Sequence, residues 1–468
     1  MVETRRILHT ADWHLGATLV GRNRREEQFE RIHDVVQLAI DRKVHVFVIA
    51  GDIFDRRLPV RVASDLSAML ADALLPLAQA GIPILIIDGN HDAPEWNRML
   101  GKLTRLASVA LGATSRTQQP IIVVQDADIV RVRGLQFVCL PYPPRELLAH
   151  AVGHDFQNEK DTAVDRNRAA AEAVEQILHK VVDSERFLPN VPSVLVAHMT
   201  TTNAVFPQRD EQAEGWKHDW SQDFMLPARA VPNRFVYGAF GHVHRPQDLH
   251  ATKTGAFPFP ARYSGSLVRL NINERFEDKS VTIVEIPLDG SAPEIEVVPL
   301  TQTPMAVVET SWTGLDHYER EREKWADVYV KVVVEHDGSV PGTTITSRVR
   351  RIFPRHIGIR LVGPPLAIRA SAERLKDAFG LNLDGPADGV DWNPEDREGT
   401  VEAYVRERFA DHPDLDELIR VALTITREAS AQFDGVPTEQ HETTVSSDVG
   451  ADRPAEKTDA SAAVAEAA

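Results

Sequence analysis

Short apolar runs alternate with helical periodicity along the first 200 residues. Residues 6–10 read as a strand. From residue 24 to 40, Phe29, Ile32, Val36 and Ile40 recur at helical spacing and share one face. Residues 44–50 are a β-branched apolar run without polar alternation, the pattern of a strand buried on both faces. Residues 62–79 are helical again, with Gly81 as a stop, and residues 82–87 repeat the buried-strand pattern. This strand–helix alternation predicts right-handed crossovers and a largely parallel sheet. Apolar runs at 193–197, 235–240, 263–267 and 281–286 extend the core into a two-sheet sandwich, and residues 161–182 read as a polar, Ala-rich helix.

Around residue 300 the pattern changes. Residues 328–334 predict a strand, 343–352 a helix and 357–361 a second strand, a small α/β appendage closed by Pro364 and Pro365. Residues 382–394 form an acidic linker with Gly and Pro. Two amphipathic helices follow, one carrying Val401, Tyr404, Val405 and Phe409, the other Leu415, Leu418, Ile419, Ala422 and Ile425. From Asp434 onward no periodic apolar face exists, which predicts disorder. The expected organisation is an α/β chain: a two-sheet αββα sandwich over residues 1–300, a small α/β cap over 305–380, a helical segment over 395–432 and an acidic tail over 434–468.

Composition narrows the class. Hydrophobic residues make up 43% of the 468, enough for sizeable cores. The single cysteine, Cys139, excludes a disulfide framework and a cysteine-built zinc site. It lies in the apolar run 135–140 and reads as a buried thiol in a reducing compartment. No run of about 18 apolar residues exists, so no membrane span is expected. Arg5 and Arg6 precede an apolar stretch too short for a signal-peptide core. The expectation is a soluble cytoplasmic chain. A net charge of −17 argues, as an average, against nucleic acid. It is unevenly spread: residues 384–417 carry −9 and 434–468 carry −6, whereas 1–383 carry only −3. Within that near-neutral part, residues 341–376 hold seven Arg and one Lys against Glu373 alone.

Five motifs carry the chemistry. Asp12-Trp13-His14 follows the first strand, Gly51-Asp52 the second and Gly89-Asn90-His91-Asp92 the third. His198 follows the 193–197 run, and Gly241-His242-Val243-His244 the 235–240 run. Each sits at the C-terminal end of a predicted strand, where open α/β sheets place ligands. Carboxylate, carboxamide and imidazole are ligands for hard or borderline metals. Singly, most of these are as readily turns; His-Asp after Gly-Asn has no turn role, and five such motifs in order are not accidental turns. They can fill two coordination shells if one carboxylate bridges. His9 reads as core or as a support beneath the ligands, and Trp13 as packing. Arg22, Arg24 and Arg25 are either a solvated helix start or a DNA contact.

The ordered set resembles the calcineurin-like metallophosphoesterases. The resemblance implies one metal held by Asp12, His14, Asp52 and His244, and a second held by Asp52, Asn90, His198 and His242. It leaves His91 as the proton donor to the leaving oxygen, Asp55 as the acid that orients it, and Arg56 as a phosphate contact. Asp92 supports the site or caps the following helix. Further stretches, 7–16 (ILHTADWHLG), 49–56 (IAGDIFDR), 140–143 (LPYP), 241–247 (GHVHRPQ) and 263–266 (YSGS), resemble the SbcD nuclease branch. That likeness implies a Mn²⁺-dependent DNA nuclease, exonuclease on duplex ends and endonuclease on single strands and hairpins. It also implies a homodimer within a heterotetramer with an SbcC-type coiled-coil ATPase, acting in DNA repair and recombination. The cap would touch DNA through its basic stretch, Arg348, Arg350, Arg351, Arg355, Arg360, Arg369, Arg374 and Lys376, and the helices of 395–432 would dock on the ATPase. The alternative is a phosphatase or small-molecule phosphodiesterase on the same metal core. A scaffold that keeps its metals for structure is disfavoured by His91, which it would not need.

Overall fold

The computed structural model describes residues 2–55, 58–92, 94–110, 119–153, 162–206, 225–249, 256–363, 397–410 and 415–433. The chain forms two compact units, Met1–Gly363 and Pro364–Ala468. In the first, β1 (Thr4–Thr10) leads into a hairpin of β2 (Thr18–Leu19) and β3 (Arg22–Asn23). Then come α1 (Arg25–Asp41), β4 (Val46–Ala50), α2 (Val60–Gln79), β5 (Ile84–Ile87), α3 (Pro94–Ala110) and β6 (Ile121–Val124). β7 (Asp128–Val132), β8 (Leu135–Leu140), α4 (Arg145–Val152), α5 (Ala163–Val182) and β9 (Ser193–His198) follow. Next are two short strands, β10 (Thr200–Thr201) and β11 (Met225–Leu226), then β12 (Tyr237–Gly241), β13 (Gln247–Asp248), β14 (Ala261–Tyr263), β15 (Ser280–Pro287) and β16 (Glu294–Pro299).

These strands build two six-stranded mixed sheets, ordered β16-β15-β1-β4-β5-β6 and β13-β14-β12-β9-β8-β7. β1, β4, β5 and β6 run parallel, as do β14, β12, β9 and β8. The antiparallel strands lie outside them. β4 shows why its sequence lacks polar alternation. Val46, Val48 and Ala50 pack between the sheets against Phe137, Val194 and Tyr237, while Phe47 and Ile49 face α1 and α2. α5, closed at its start by a Thr162–Asp165 capping box, covers the outer face of the second sheet through Ala173, Val174 and Leu178. The result is helix, sheet, sheet, helix, as expected. Burying one such Val, Leu or Phe side chain contributes about 1.5–3 kcal/mol.

Two expectations shift. The run 263–267 is strand only as far as Tyr263, because the chain then turns so that the Ser266 N–H donates to the His244 carbonyl (3.0 Å). Strand β16 has no counterpart among the apolar runs, since nearly all of it is exposed and only its pairing with β15 makes it a strand.

Beyond the sandwich, β17 (Met305–Ser311), α6 (Leu315–Arg320), β18 (Tyr329–Glu335), α7 (Gly342–Ile352) and β19 (His356–Val362) form a three-stranded parallel sheet with its own core of Val330, Val332, Val334, Ile345, Val349 and Phe353. It joins the sandwich through the β2–β3 hairpin. Arg22 donates to the carbonyls of His356 (2.9 Å) and Pro354 (2.7 Å), and Leu19 packs with Ile272, Met305, Tyr329 and Ile357. The rest of the expected 305–380 segment, the 382–394 linker and the 434–468 tail lie outside the described residues. In the second unit, helices Arg397–Arg408 and Leu415–Phe433 pack on each other through Val401, Val405, Leu418, Ile419 and Ala422. No described helix is long and apolar enough to cross a membrane.

Candidate metal centre

The C-terminal ends of β1, β4, β5, β9 and β12 converge on one point. The loops after β1 and β4 run side by side: Asp12 N–H donates to the Gly51 carbonyl (3.1 Å), His14 N–H to Asp52 (3.0 Å) and Leu15 N–H to Ile53 (2.8 Å). This pairing requires unusual backbone. Asp12, His14, Asp52 and His242 all have positive φ, from 44° to 96°. Such conformations cost roughly 1–3 kcal/mol each and persist where surrounding structure imposes them, typically at functional sites. Gly51 (φ +89°) leaves no room for a side chain, because a Cβ would lie 2.2 Å from His198 Nδ1.

Asp52 is the centre of the cluster. Its Oδ2 lies 3.5 Å from His14 Nε2 and 3.2 Å from His198 Nε2, and its Oδ1 accepts the His91 N–H (2.8 Å). Asn90 Oδ1 lies 3.1 Å from His198 Nε2 and 2.9 Å from His242 Nδ1. Asp12 accepts the His242 N–H on both carboxylate oxygens (2.9 and 3.1 Å). The ligand atoms of Asp12, His14 and His244 lie within 4.8 Å of one another, and so do those of Asp52, His198 and His242. All seven side chains proposed from the sequence as ligands are therefore brought together, with Asp52 between the two groups. They are carboxylate, carboxamide and imidazole donors aimed at common points, a set that fits divalent cations.

Electrostatics around Asp52 follow from crowding. Burial would raise its carboxyl, but His198, His14 and His91 hold it well below the usual carboxylate range. Burial would lower His198, yet Asp52 pushes it up to about 9. Burial also opposes protonation of His14, which Asp55, Asp52 and Asp12 nevertheless raise above its ordinary value. His198 Nδ1 faces the Ala50 carbonyl at 2.7 Å, an arrangement that turns Nε2 toward Asp52 and Asn90.

His91 and Asp55 stand beside this group. Asp55 Oδ1 lies 3.4 Å from His91 Nδ1 and 3.6 Å from His14 Nδ1, and the His14 and His91 rings are 4.6 Å apart. Asp92 braces the loops. It accepts the N–H groups of Ile53 (2.9 Å), Phe54 (3.0 Å) and Gly89 (2.9 Å), while burial and the nearby Asp52 push it up to about 7. Trp13 is buried beneath the site and donates to Thr10 Oγ1 (2.9 Å). His9 is core: it bridges the sheets to Tyr237 Oη (3.1 Å) and the Phe240 carbonyl (3.2 Å).

Two residues escaped sequence reasoning. Glu274 Oε1 lies 3.5 Å from His244 Nδ1, and Lys279 Nζ donates to the His244 carbonyl (2.8 Å) and pairs with Glu274 (2.7 Å) and Glu277 (2.8 Å). In the sequence they sit in a charged stretch, 274–279, that reads as solvated surface; Lys279 is in fact 0% exposed.

The site opens into a cleft of about 440 Å³ whose walls include His14, Asp55, His244, Leu19, Lys331 and Arg360. A larger hollow of about 650 Å³, near Gly81 and Arg133, lies at the other end of the strands, away from these ligands. Of the basic residues proposed as DNA contacts, Arg360 lines the cleft but Arg348, Arg350, Arg351 and Arg355 do not, and Arg369, Arg374 and Lys376 lie outside the described residues. Arg348 stacks on Trp312 (4.7 Å) and bonds Glu319 (2.7 Å) and Asp316; Arg351 pairs with Glu319, and Arg355 with Asp327 (3.0 Å). Arg350 is exposed on α7, and Arg56 lies outside the described residues. Of the basic cluster, Arg22 binds the appendage and Arg24 is buried against Glu27 (2.8 Å), so neither is a solvated helix start.

The sequence profile of the calcineurin-like phosphoesterases matches residues 5–246, more than half of the chain. The chain belongs to the calcineurin-like phosphoesterases. All seven metal-binding candidates of this phosphoesterase lie within the matched segment, while Glu274, Lys279 and the 305–363 appendage lie beyond it. Curated relatives extend further. The chain is 28% identical over 366 residues to the SbcD subunit of the SbcCD nuclease of Bacillus subtilis, covering 76% of this chain and 85% of that one. It is 24% identical over 387 residues to the protein of the same name from Rhodobacter capsulatus, covering 78% and 90%. With that of Staphylococcus saprophyticus it is 24% identical over 281 residues, covering 60% and 65%. The likeness to SbcD nucleases seen in the motifs thus holds over most of the phosphoesterase chain.

Proposed function

We propose that this chain is the nuclease subunit of an SbcC–SbcD-type complex and hydrolyses DNA phosphodiester bonds with two divalent ions. The observation that carries the reading is the meeting of seven donor side chains from five strand ends around Asp52. Asp12, His14, Asp52 and His244 would hold one ion, and Asp52, Asn90, His198 and His242 the other. Mn²⁺ suits this oxygen-and-imidazole set. Bound there, two divalent ions would supply Lewis acidity to the phosphate and a water activated at neutral pH. His91, with Asp55 3.4 Å from its Nδ1, presents its ring toward the leaving oxygen as general acid. The appendage of residues 305–363 acts as a cap over the DNA, and the helical hairpin of residues 397–433 docks on the coiled coil of an SbcC-type ATPase. The functional particle is a dimer of this chain with two such partners, acting on duplex ends exonucleolytically and on single strands and hairpins endonucleolytically.

The deciding experiment gives purified protein Mn²⁺ with end-labelled duplex, single-stranded and hairpin DNA, beside a phosphoprotein and a nucleotide phosphodiester. DNA cleavage that stops on chelation is expected. Turnover of the other two substrates without any DNA cleavage refutes the nuclease reading. Deleting residues 395–468 is expected to abolish ATPase co-purification while Mn²⁺-dependent cutting persists.

A further inference from the structure

One extra residue in β19 decides what the cap presents to the metal centre. In β18, Val330, Val332 and Val334 point into the cap's own core, so Lys331 points to the opposite face, with Tyr329. β19 begins in register, with Val330 opposite His356. One position later, Lys331 stands opposite Gly358, which leaves Ile357 as an extra residue. Past this bulge Val332 pairs with Ile359 and Val334 with Leu361, both packed in the cap core. Gly358 and Arg360 therefore share the face of Lys331. Without the extra residue Arg360 would pair with Val334 and point into that core. A bulge beside a functional site commonly re-aims a side chain in this way.

Lys331 and Arg360 both line the cleft that reaches His14, Asp55 and His244. Among the described residues neither has an ion-pair partner, in contrast to Arg348, Arg351 and Arg355. Glu309, the acid in the same row of the sheet, is separated from Arg360 by Val333. Val20, a hairpin-tip residue that is 65% exposed, stands on the same cleft, with Thr18, Asn271 and Asn273 also in its lining and Leu19 and Ile357 buried behind it. Two cations with no ion-pair partner among the described residues, beside an exposed valine, match a polyanionic strand whose sugars and bases are apolar on their faces.

Building on the nuclease reading, we propose that Lys331 and Arg360 grip the phosphodiester backbone of the strand being cut, with the exposed Val20 at the hairpin tip against its sugar or base. The grip acts on the phosphates that flank the scissile bond, not on base edges, so it positions DNA without reading sequence.

The test compares the parent with the Lys331→Gln/Arg360→Gln variant on a single-stranded oligonucleotide and on bis(4-nitrophenyl) phosphate, a diester too small to span the cleft. The variant is expected to raise KM for the oligonucleotide about tenfold more than KM for the small ester, and to lower the log–log salt slope of DNA binding by about 1.4, for two phosphate contacts at ~0.7 each. Lys331→Arg and Arg360→Lys should restore most of the loss. Lys324→Ala, which removes an exposed cation of the same cap, serves as the charge control and should behave as the parent. Equal losses on both substrates, or an unchanged salt slope in a variant that still cuts DNA, overturn the grip alone. A parent that hydrolyses the ester but cuts no DNA overturns the nuclease reading and the grip with it.

Discussion

Replacing Lys279 by methionine should weaken the fold by about 3–5 kcal/mol, the cost of breaking a buried ion pair by removing one partner. The lysine side chain is fully buried, 2.7 Å from Glu274 and 2.8 Å from Glu277. Without it, the buried Glu274 carboxylate and the partly buried Glu277 carboxylate are left without their cation. The charge state of Glu274 gives a second route to the magnitude. Burial works against ionisation, but Lys279 and His244 hold the carboxyl at about 2 against an ordinary 4.5. That difference corresponds to roughly 3 kcal/mol. Glu277 moves the other way, raised by burial and by the charge of Glu274 despite the attraction of Lys279. Proton uptake by Glu277 in the variant would bring the loss into the lower part of the range. Urea unfolding of the full chain, followed by tryptophan fluorescence at pH 7, measures it as a lower midpoint at unchanged slope. Adding Glu274→Gln should recover part of the loss, since one stranded charge is then neutral. A Lys279→Met loss below about 1 kcal/mol would refute the burial argument. Because Glu274 and Lys279 also hold His244, calorimetry should show Mn²⁺ affinity falling by about 10–100-fold, the usual effect of removing a partner of a metal-ligating histidine.

Other expectations follow from the same geometry. His91→Ala should abolish DNA cleavage while two metal ions per chain remain by elemental analysis; a fall in stoichiometry would make His91 a ligand. Burial lowers His9 to about 3 from an ordinary 6.5, against the pull of the Phe240 carbonyl. The unfolded chain therefore binds a proton between those values that the folded chain does not, and stability present above pH 6.5 is lost as pH falls. The loss is about 2 kcal/mol by pH 5, so a parent and a His9→Gln variant with equal acid slopes of stability would contradict it. At Gly89 a Cβ would lie 2.1 Å from Asp52 Oδ1. Gly89→Ala should displace that carboxylate and cost about 100-fold in cleavage rate with the circular dichroism spectrum retained; near-normal turnover would mean that Asp52 does not need its present position.

The sandwich was legible because its parallel strands are buried on both faces, so that each reads as an uninterrupted apolar run, as β4, β5 and β9 do. The site was legible for a related reason. The ligands cluster just after predicted strands, and the chemistry of Asp, Asn and His at strand ends needs no contact map to be noticed. The charge argument was legible only by segment, since the −17 resides mainly beyond residue 383.

The edge strand β16 was not legible, because an exposed strand with glutamates at alternate positions has no apolar signature and depends on β15 for its hydrogen bonds. Nor were the partners of the cap arginines. Arg348, Arg351 and Arg355 look like a basic patch in the chain, and Glu319, Asp316 and Asp327 neutralise it only once the cap is folded. Sequence by itself determined the layer order, the identity of the candidate ligands and their sequence order. Tertiary structure alone decided that Lys279 is interior, that Asp92 braces three loop N–H groups, and that a one-residue bulge turns Arg360 toward the metal centre. The reason is physical: burial and facing along one element are periodic in the chain, whereas ion pairing and register between elements depend on which segments meet.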